Sequence, residues 1–197
     1  LFYVARLVTA SIRAGARALT ASCWPGRLSA GETNAGAFTF IAVNDLHYRE
    51  SAFGEWFAQV VAAMKESAPQ AEFCLLGGDL ADEGKPEQLA GLRDAFKLLG
   101  MPVHAVPGNH VYLADDDRRV YDELFPKQSN YWFEHRGWQV IGLDSTERTQ
   151  WKETHISPVT LQACSRLLRG LELLILNNRK LFKDSAVLIT PACRQGV

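Results

Sequence analysis

Three short stretches of this sequence carry side chains that could do chemistry together. Asn44-Asp45-Leu46-His47 sets a carboxylate two residues before an imidazole. Gly77-Gly78-Asp79 places a carboxylate behind two glycines, and Pro107-Gly108-Asn109-His110 joins a carboxamide to a second imidazole. Asp45 and Asp79 offer hard oxygens, Asn109 an amide oxygen and His47 a borderline nitrogen. That mixture suits Mn, Fe or Zn better than Ca, which takes oxygens alone. Gly77, Gly78 and Gly108 allow the backbone to approach an ion or a phosphate closely. Taken singly, each motif is weak. Gly-Asp is an ordinary turn, and Gly-Asn-His could be a loop with a solvated histidine.

What joins them is the pattern of elements around them. Residues 38–43, 73–76 and 103–106 are short apolar runs that read as buried strands, and each motif begins just past one of these runs. Between them, residues 55–64 repeat apolar side chains with helical spacing (Phe57, Val60, Val61, Met64), and residues 87–99 do the same with Leu89, Leu92, Phe96 and Leu99. Strand, helix, strand, helix, strand at these spacings predicts a largely parallel α/β sheet. Ligands of such sheets bind at the carboxyl ends of the strands, so side chains far apart in sequence meet at one edge. Further on, the sequence predicts a polar helix over 115–124 and a hairpin of 131–134 with 138–143 across His135-Arg136-Gly137. A helix over 158–171 and a last strand over 185–190 complete the pattern.

The chain of 197 residues fits one domain, and 47% hydrophobic with 22% charged residues gives it enough to bury a core. Its formal net charge of -1 argues against a broadly basic nucleic-acid-binding surface. Cys23, Cys74, Cys164 and Cys193 have no CxxC spacing, which disfavours a disulfide framework or a thiolate zinc site. No apolar stretch approaches the ~18 residues of a membrane span. Residues 1–31 hold Arg6, Arg13, Arg17 and Arg27 and no acidic residue, and at about 100° per residue the first three of these share one helical face. This is the composition of a leader that would export the protein, of a surface helix, or of sequence upstream of a true start. The division expected is therefore a leader or disordered segment over 1–37 and a folded domain over 38–197.

The series Asp45-x-His47, Gly78-Asp79 and Gly108-Asn109-His110 resembles the calcineurin-like metallophosphoesterase superfamily. Gly78-Asp79-Leu80-Ala81-Asp82-Glu83-Gly84, Val106-Pro107-Gly108-Asn109-His110 and Gly142-Leu143-Asp144-Ser145 are similar to its bacterial, cyclic-nucleotide phosphodiesterase-like branch. The resemblance runs from about Phe38 to Ser145. It implies an α/β fold, a four-layer α/β/β/α sandwich, and a site for two divalent or trivalent ions (Mn, Fe or Zn). By motif, Asp45 and His47 would bind one ion, Asp79 would bridge both, and Asn109 would bind the second. His110 would be the catalytic residue at the leaving oxygen, and a hydroxide bridging the metals would attack the phosphorus of a small phosphoester. The family draws further ligands from a histidine after a late strand and from a downstream Gly-His-x-His. Here the last predicted strand leads to Pro191-Ala192-Cys193, and no Gly-His-x-His occurs. The fold is accordingly expected to be incomplete at the C-terminus, with a weak second metal site and impaired activity. A binding or structural domain without turnover is the alternative. Val111 also stands where relatives usually carry an aspartate.

Overall fold

A computed structural model describes residues 8–12, 37–49, 54–114, 116–150, 152, 154–167, 174–175 and 185–191. Its elements run β1 (Val8–Ile12), β2 (Phe38–Val43), α1 (Gly54–Ser67), β3 (Ala71–Gly77), α2 (Pro86–Lys97), β4 (Val103–Val106), α3 (Arg119–Leu124), β5 (Tyr131–His135), β6 (Trp138–Asp144), α4 (Pro158–Leu167), β7 (Leu174–Ile175) and β8 (Ser185–Pro191). Two sheets form, one ordered β1-β2-β3-β4 and the other β5-β6-β8-β7. In the first, β2, β3 and β4 run parallel and β1 is antiparallel to β2. Every pairing in the second is antiparallel.

Alternation along the strands sorts the core into layers. Phe38, Phe40 and Ala42 of β2, with Phe73 and Leu75 of β3, pack against Trp138 and Val140 of β6. The intervening residues, Ile41, Val43, Cys74 and Leu76, pack with Phe57, Val61 and Met64 of α1 and with Leu89, Leu92 and Phe96 of α2. Successive side chains of a strand point to opposite faces, so one run of apolar residues serves both layers. With α4 against β6, the order is helices, sheet, sheet, helix. This is the expected α/β/β/α layering.

The aromatic layer between the sheets is dense. Phe40 and Phe73 stack with ring centroids 5.3 Å apart, and His104 stacks on Phe133 at 4.0 Å. His135, placed by the sequence pattern in the hairpin connection, closes this layer instead. It meets Phe38 and Phe73 edge-on, each at 5.0 Å, and its Nε2 lies 2.8 Å from Glu72. The hairpin loop is therefore only Arg136-Gly137, with φ of 49° and 79°, the left-handed pair that a two-residue hairpin turn demands.

Several expectations shift. The helix predicted over 115–124 begins only at Arg119. Asp117 takes the Arg119 backbone N–H on its carboxylate, and a bridge between Ala114 and Asp117 tightens a turn there. Short acidic side chains favour such turns over helix interiors. The helical face drawn through the arginines of the N-terminal stretch gives way at Val8–Ile12, where Val8, Thr9 and Ile12 are β-branched and the strand pairs along β2. The other residues of segment 1–37, apart from Ala37, lie outside the described residues. So do the end of the helix predicted to residue 171, and Cys193. Among the described residues no helix is long and apolar enough to cross a membrane.

Candidate metal centre

The three motifs meet because the loops that carry them are zipped together. His47 N–H donates to the Asp79 carbonyl at 2.9 Å, Tyr48 N–H to Leu80 at 3.1 Å, and Asp82 N–H to Tyr48 at 3.2 Å. The parallel pairing of β2 with β3 thus continues past both strand ends and carries His47 against Asp79. Gly108 completes the approach from β4. A Cβ on Gly108 would lie 2.2 Å from the Asp79 nitrogen and 2.3 Å from its Oδ1, so only glycine fits there. From the next turn, His110 N–H reaches Asp79 Oδ1 at 3.5 Å.

The backbone is bent to present these side chains. Asp45, His47 and Asp79 all have left-handed φ, at 55°, 44° and 46°. Each such residue costs about 1–3 kcal/mol, and clusters of them are found at functional sites. Asp45, His47 and Asp79 each bring a donor atom within 4.8 Å of the others, and so do His47, Asp82 and His110.

Asp82 is a member that the motifs do not single out. Its Oδ1 lies 3.4 Å from His47 Nδ1, its Oδ2 3.2 Å from Arg49 Nε, and its carbonyl accepts His110 Nδ1–H at 2.7 Å. The two imidazole rings stand edge to face, 4.6 Å apart. One residue thereby faces the Nδ1 side of both histidines, while His47 Nε2 lies 4.0 Å from Asp79 Oδ2. Val111, the residue after His110, is buried in the core.

The electrostatics favour a cation. Asp79 is only 6% exposed. Burial, with Asp45 adding like charge, pushes its carboxyl up to about 6, although the neighbouring His110 opposes this. Burial, then His110, hold the His47 imidazole below its ordinary value against the pull of Asp82 and Asp45, and the neutral form is the one that ligates metal. Asn109 is also buried, and its Nδ2 donates to the Thr149 carbonyl at 3.3 Å. Among the described residues its Oδ1 accepts no hydrogen bond. Two crowded carboxylates, a neutral imidazole and an amide oxygen without a donor are a fitting set of ligands for divalent ions. Asp45, His47, Asp79 and Asn109 could hold them, with His110 beside Asp79. His155 stands apart, exposed and 3.2 Å from Glu147.

Comparison with known proteins agrees with this geometry. A probable cyclic nucleotide phosphodiesterase of Synechococcus sp. is 33% identical over 90 residues, which cover 45% of this chain and 33% of that protein. A 3',5'-cyclic-nucleotide phosphodiesterase of Nostoc sp. is 27% identical over 92 residues, 47% of this chain and 34% of that protein. The chain thus spans about a third of the length of the curated relatives it matches. The family model for the calcineurin-like phosphoesterases matches residues 38–184, which takes in the elements from β2 to β7 and every residue of the centre just described. The chain belongs to the calcineurin-like phosphoesterase family.

Proposed function

We propose that this protein hydrolyses phosphoesters, using two divalent metal ions held by Asp45, His47, Asp79 and Asn109 and a proton delivered by His110. The proposed catalytic unit is the domain of residues 38–197. The observation that carries this reading is the buried Asp79 carboxyl, crowded by Asp45 and faced by His47 and His110, at the meeting point of three strand-end loops. When bound, such ions acidify a water to serve as nucleophile and neutralise charge on the phosphoryl oxygens. The residues supply the rest. Asp45 and His47 would hold one ion, Asn109 the other, and Asp79 would serve both. His110, tied through Nδ1–H to the Asp82 carbonyl, keeps Nε2 for a proton that passes to the leaving oxygen as the P–O bond breaks. The names of the two relatives favour a phosphodiester over a phosphomonoester as substrate class.

With these four ligands alone, each ion would keep several waters and bind loosely. Hydrolysis of bis(p-nitrophenyl) phosphate should therefore be slow and should climb with added Mn²⁺ into the millimolar range. His110→Ala should lower turnover by about 10²-fold while leaving metal content unchanged, the usual scale for a general acid. Mn²⁺ bound without any turnover would instead favour a binding domain. Loss of metal in His110→Ala would make that residue a ligand.

A further inference from the structure

The strand end Gly142-Leu143-Asp144-Ser145 leads into a loop that touches Asn109, and its bonds fix where that loop can lie. Asp144 Oδ1 accepts both the Thr146 backbone N–H, at 3.0 Å, and the Thr146 hydroxyl, at 2.6 Å. Since that hydroxyl spends its proton on the carboxylate, the Tyr112 hydroxyl, 3.0 Å away, must be the donor to Thr146 Oγ1. Tyr112 lies three residues after Asn109, so Thr146 is strapped to the segment that carries the proposed ligand.

Asp144 is itself held from three sides. Arg118 donates to its Oδ2 and also bonds Ser129, the Asp144 N–H goes to Asn130, and Thr160 of α4 donates to its carbonyl at 2.6 Å. Directly after Thr146 the chain makes a tight turn. Gln150 N–H returns to the Glu147 carbonyl at 3.1 Å, with Arg148 at a left-handed φ of 56°. His155 N–H secures Glu147 at 2.7 Å. The Thr149 carbonyl in this turn is the acceptor for Asn109 Nδ2. A carbonyl can only accept, so it must face the nitrogen end of the amide, and the oxygen end points away from it.

We propose that Thr146, clamped between Asp144 and Tyr112, is a positioning residue that sets the amide of Asn109 through the Thr149 carbonyl, so that Asn109 presents its oxygen to the metal. This rests on the reading of Asn109 as a ligand. Without the clamp the turn shifts, the amide can flip, and an NH₂ group replaces the ligand oxygen. Outer partners of this kind are worth about 10–100-fold in metal affinity.

The test is a double-mutant cycle on the intact chain, read as Mn²⁺ affinity by calorimetry. Thr146→Val should weaken Mn²⁺ binding about tenfold in the native background, Thr146→Ser should restore it to within about twofold, and Thr146→Val should change it less than about twofold when Asn109 is already alanine. Tyr112→Phe keeps the Asp144 bond and should weaken binding in the same direction by a smaller factor. It carries the test if Thr146→Val does not fold. Equal losses in both backgrounds, or none in either, would overturn the inference while leaving the metal site standing. An unsubstituted chain that binds no Mn²⁺ would overturn the site and the inference together.

Discussion

Asp79→Asn should strip the protein of bound metal, cut turnover by more than about 10³-fold, and yet raise the melting temperature of the metal-free chain near neutral pH. The first two effects follow from the place of Asp79 between both proposed ions. The charge stabilisation that metals give a phosphoryl transition state is worth several kcal/mol, and each 1.36 kcal/mol is tenfold in rate. The third effect comes from the Asp79 carboxyl, raised by burial from its ordinary 3.8 to about 6. Between those values the folded chain holds the proton more tightly than the unfolded chain. Stability therefore falls as pH rises through that window, and the full penalty is present above about pH 6. A neutral amide in the same place removes a penalty on the order of 1–3 kcal/mol, or a few degrees of melting temperature, and the gain should vanish toward pH 4. Thermal melts of metal-free protein across this range check it. A melting temperature that drops at neutral pH in Asp79→Asn would contradict the picture of a carboxylate kept under strain for the sake of a cation.

Gly108→Ala should be nearly as damaging, although Gly108 itself supplies no ligand atom. At φ -107° and ψ 177° the Gly108 backbone is open to any residue, so the expected harm is purely steric. The new methyl would sit 2.2 Å from the Asp79 nitrogen and 3.0 Å from its Cα, and backbone atoms cannot swing aside as the end of a side chain can. Overpacking of this kind costs about 1–3 kcal/mol, and a shift of about 1 Å at a reacting centre can cost 10²-fold in rate. Gly54→Ala is the control, because the nearest atom to its Cβ is the Tyr48 hydroxyl at an ordinary 3.5 Å. Urea unfolding and metal content of the two variants should differ sharply. Similar values for both would mean that the loop after β4 yields more easily than its packing indicates.

Much of this centre is legible in the residues alone because strand ends and ligand motifs coincide. Apolar runs of four to six residues, each followed by Asp-x-His, Gly-Asp or Gly-Asn-His, place the side chains at one sheet edge before any coordinates are known. The layers are legible too, since a run such as Phe38 to Val43 is apolar at every position except Thr39 and so suits a strand covered on both faces. Asp82 is not legible in this way. A carboxylate three residues past Asp79 looks like turn chemistry, and its approach to His47 and His110 exists only once the loops after β2 and β3 are zipped. The clamp at Thr146 hides for the same reason, since its partners Tyr112 and Asp144 are supplied by different elements. β1 is obscured by the spacing of arginines on either side of it, and the two-residue strand Leu174–Ile175 is too short to leave a pattern. His135 reads as a turn residue because Arg136-Gly137 adjoins it, whereas the tightness of that turn keeps it in the strand and brings it against Phe38 and Phe73.

The central claim is that four side chains from three loops hold metal, and Mn²⁺ bound per chain at equilibrium tests it most directly. Dialysis followed by elemental analysis of the unsubstituted protein and its Asp45→Ala, His47→Asn, Asp79→Asn and Asn109→Ala variants gives the number. Two ions are expected at saturating Mn²⁺ in the unsubstituted chain. Asp45→Ala and His47→Asn should lose the same ion, Asn109→Ala the other, and Asp79→Asn both. An unsubstituted chain without bound Mn²⁺, or an Asp79→Asn variant that keeps as much of it as His47→Asn, would contradict the assignment.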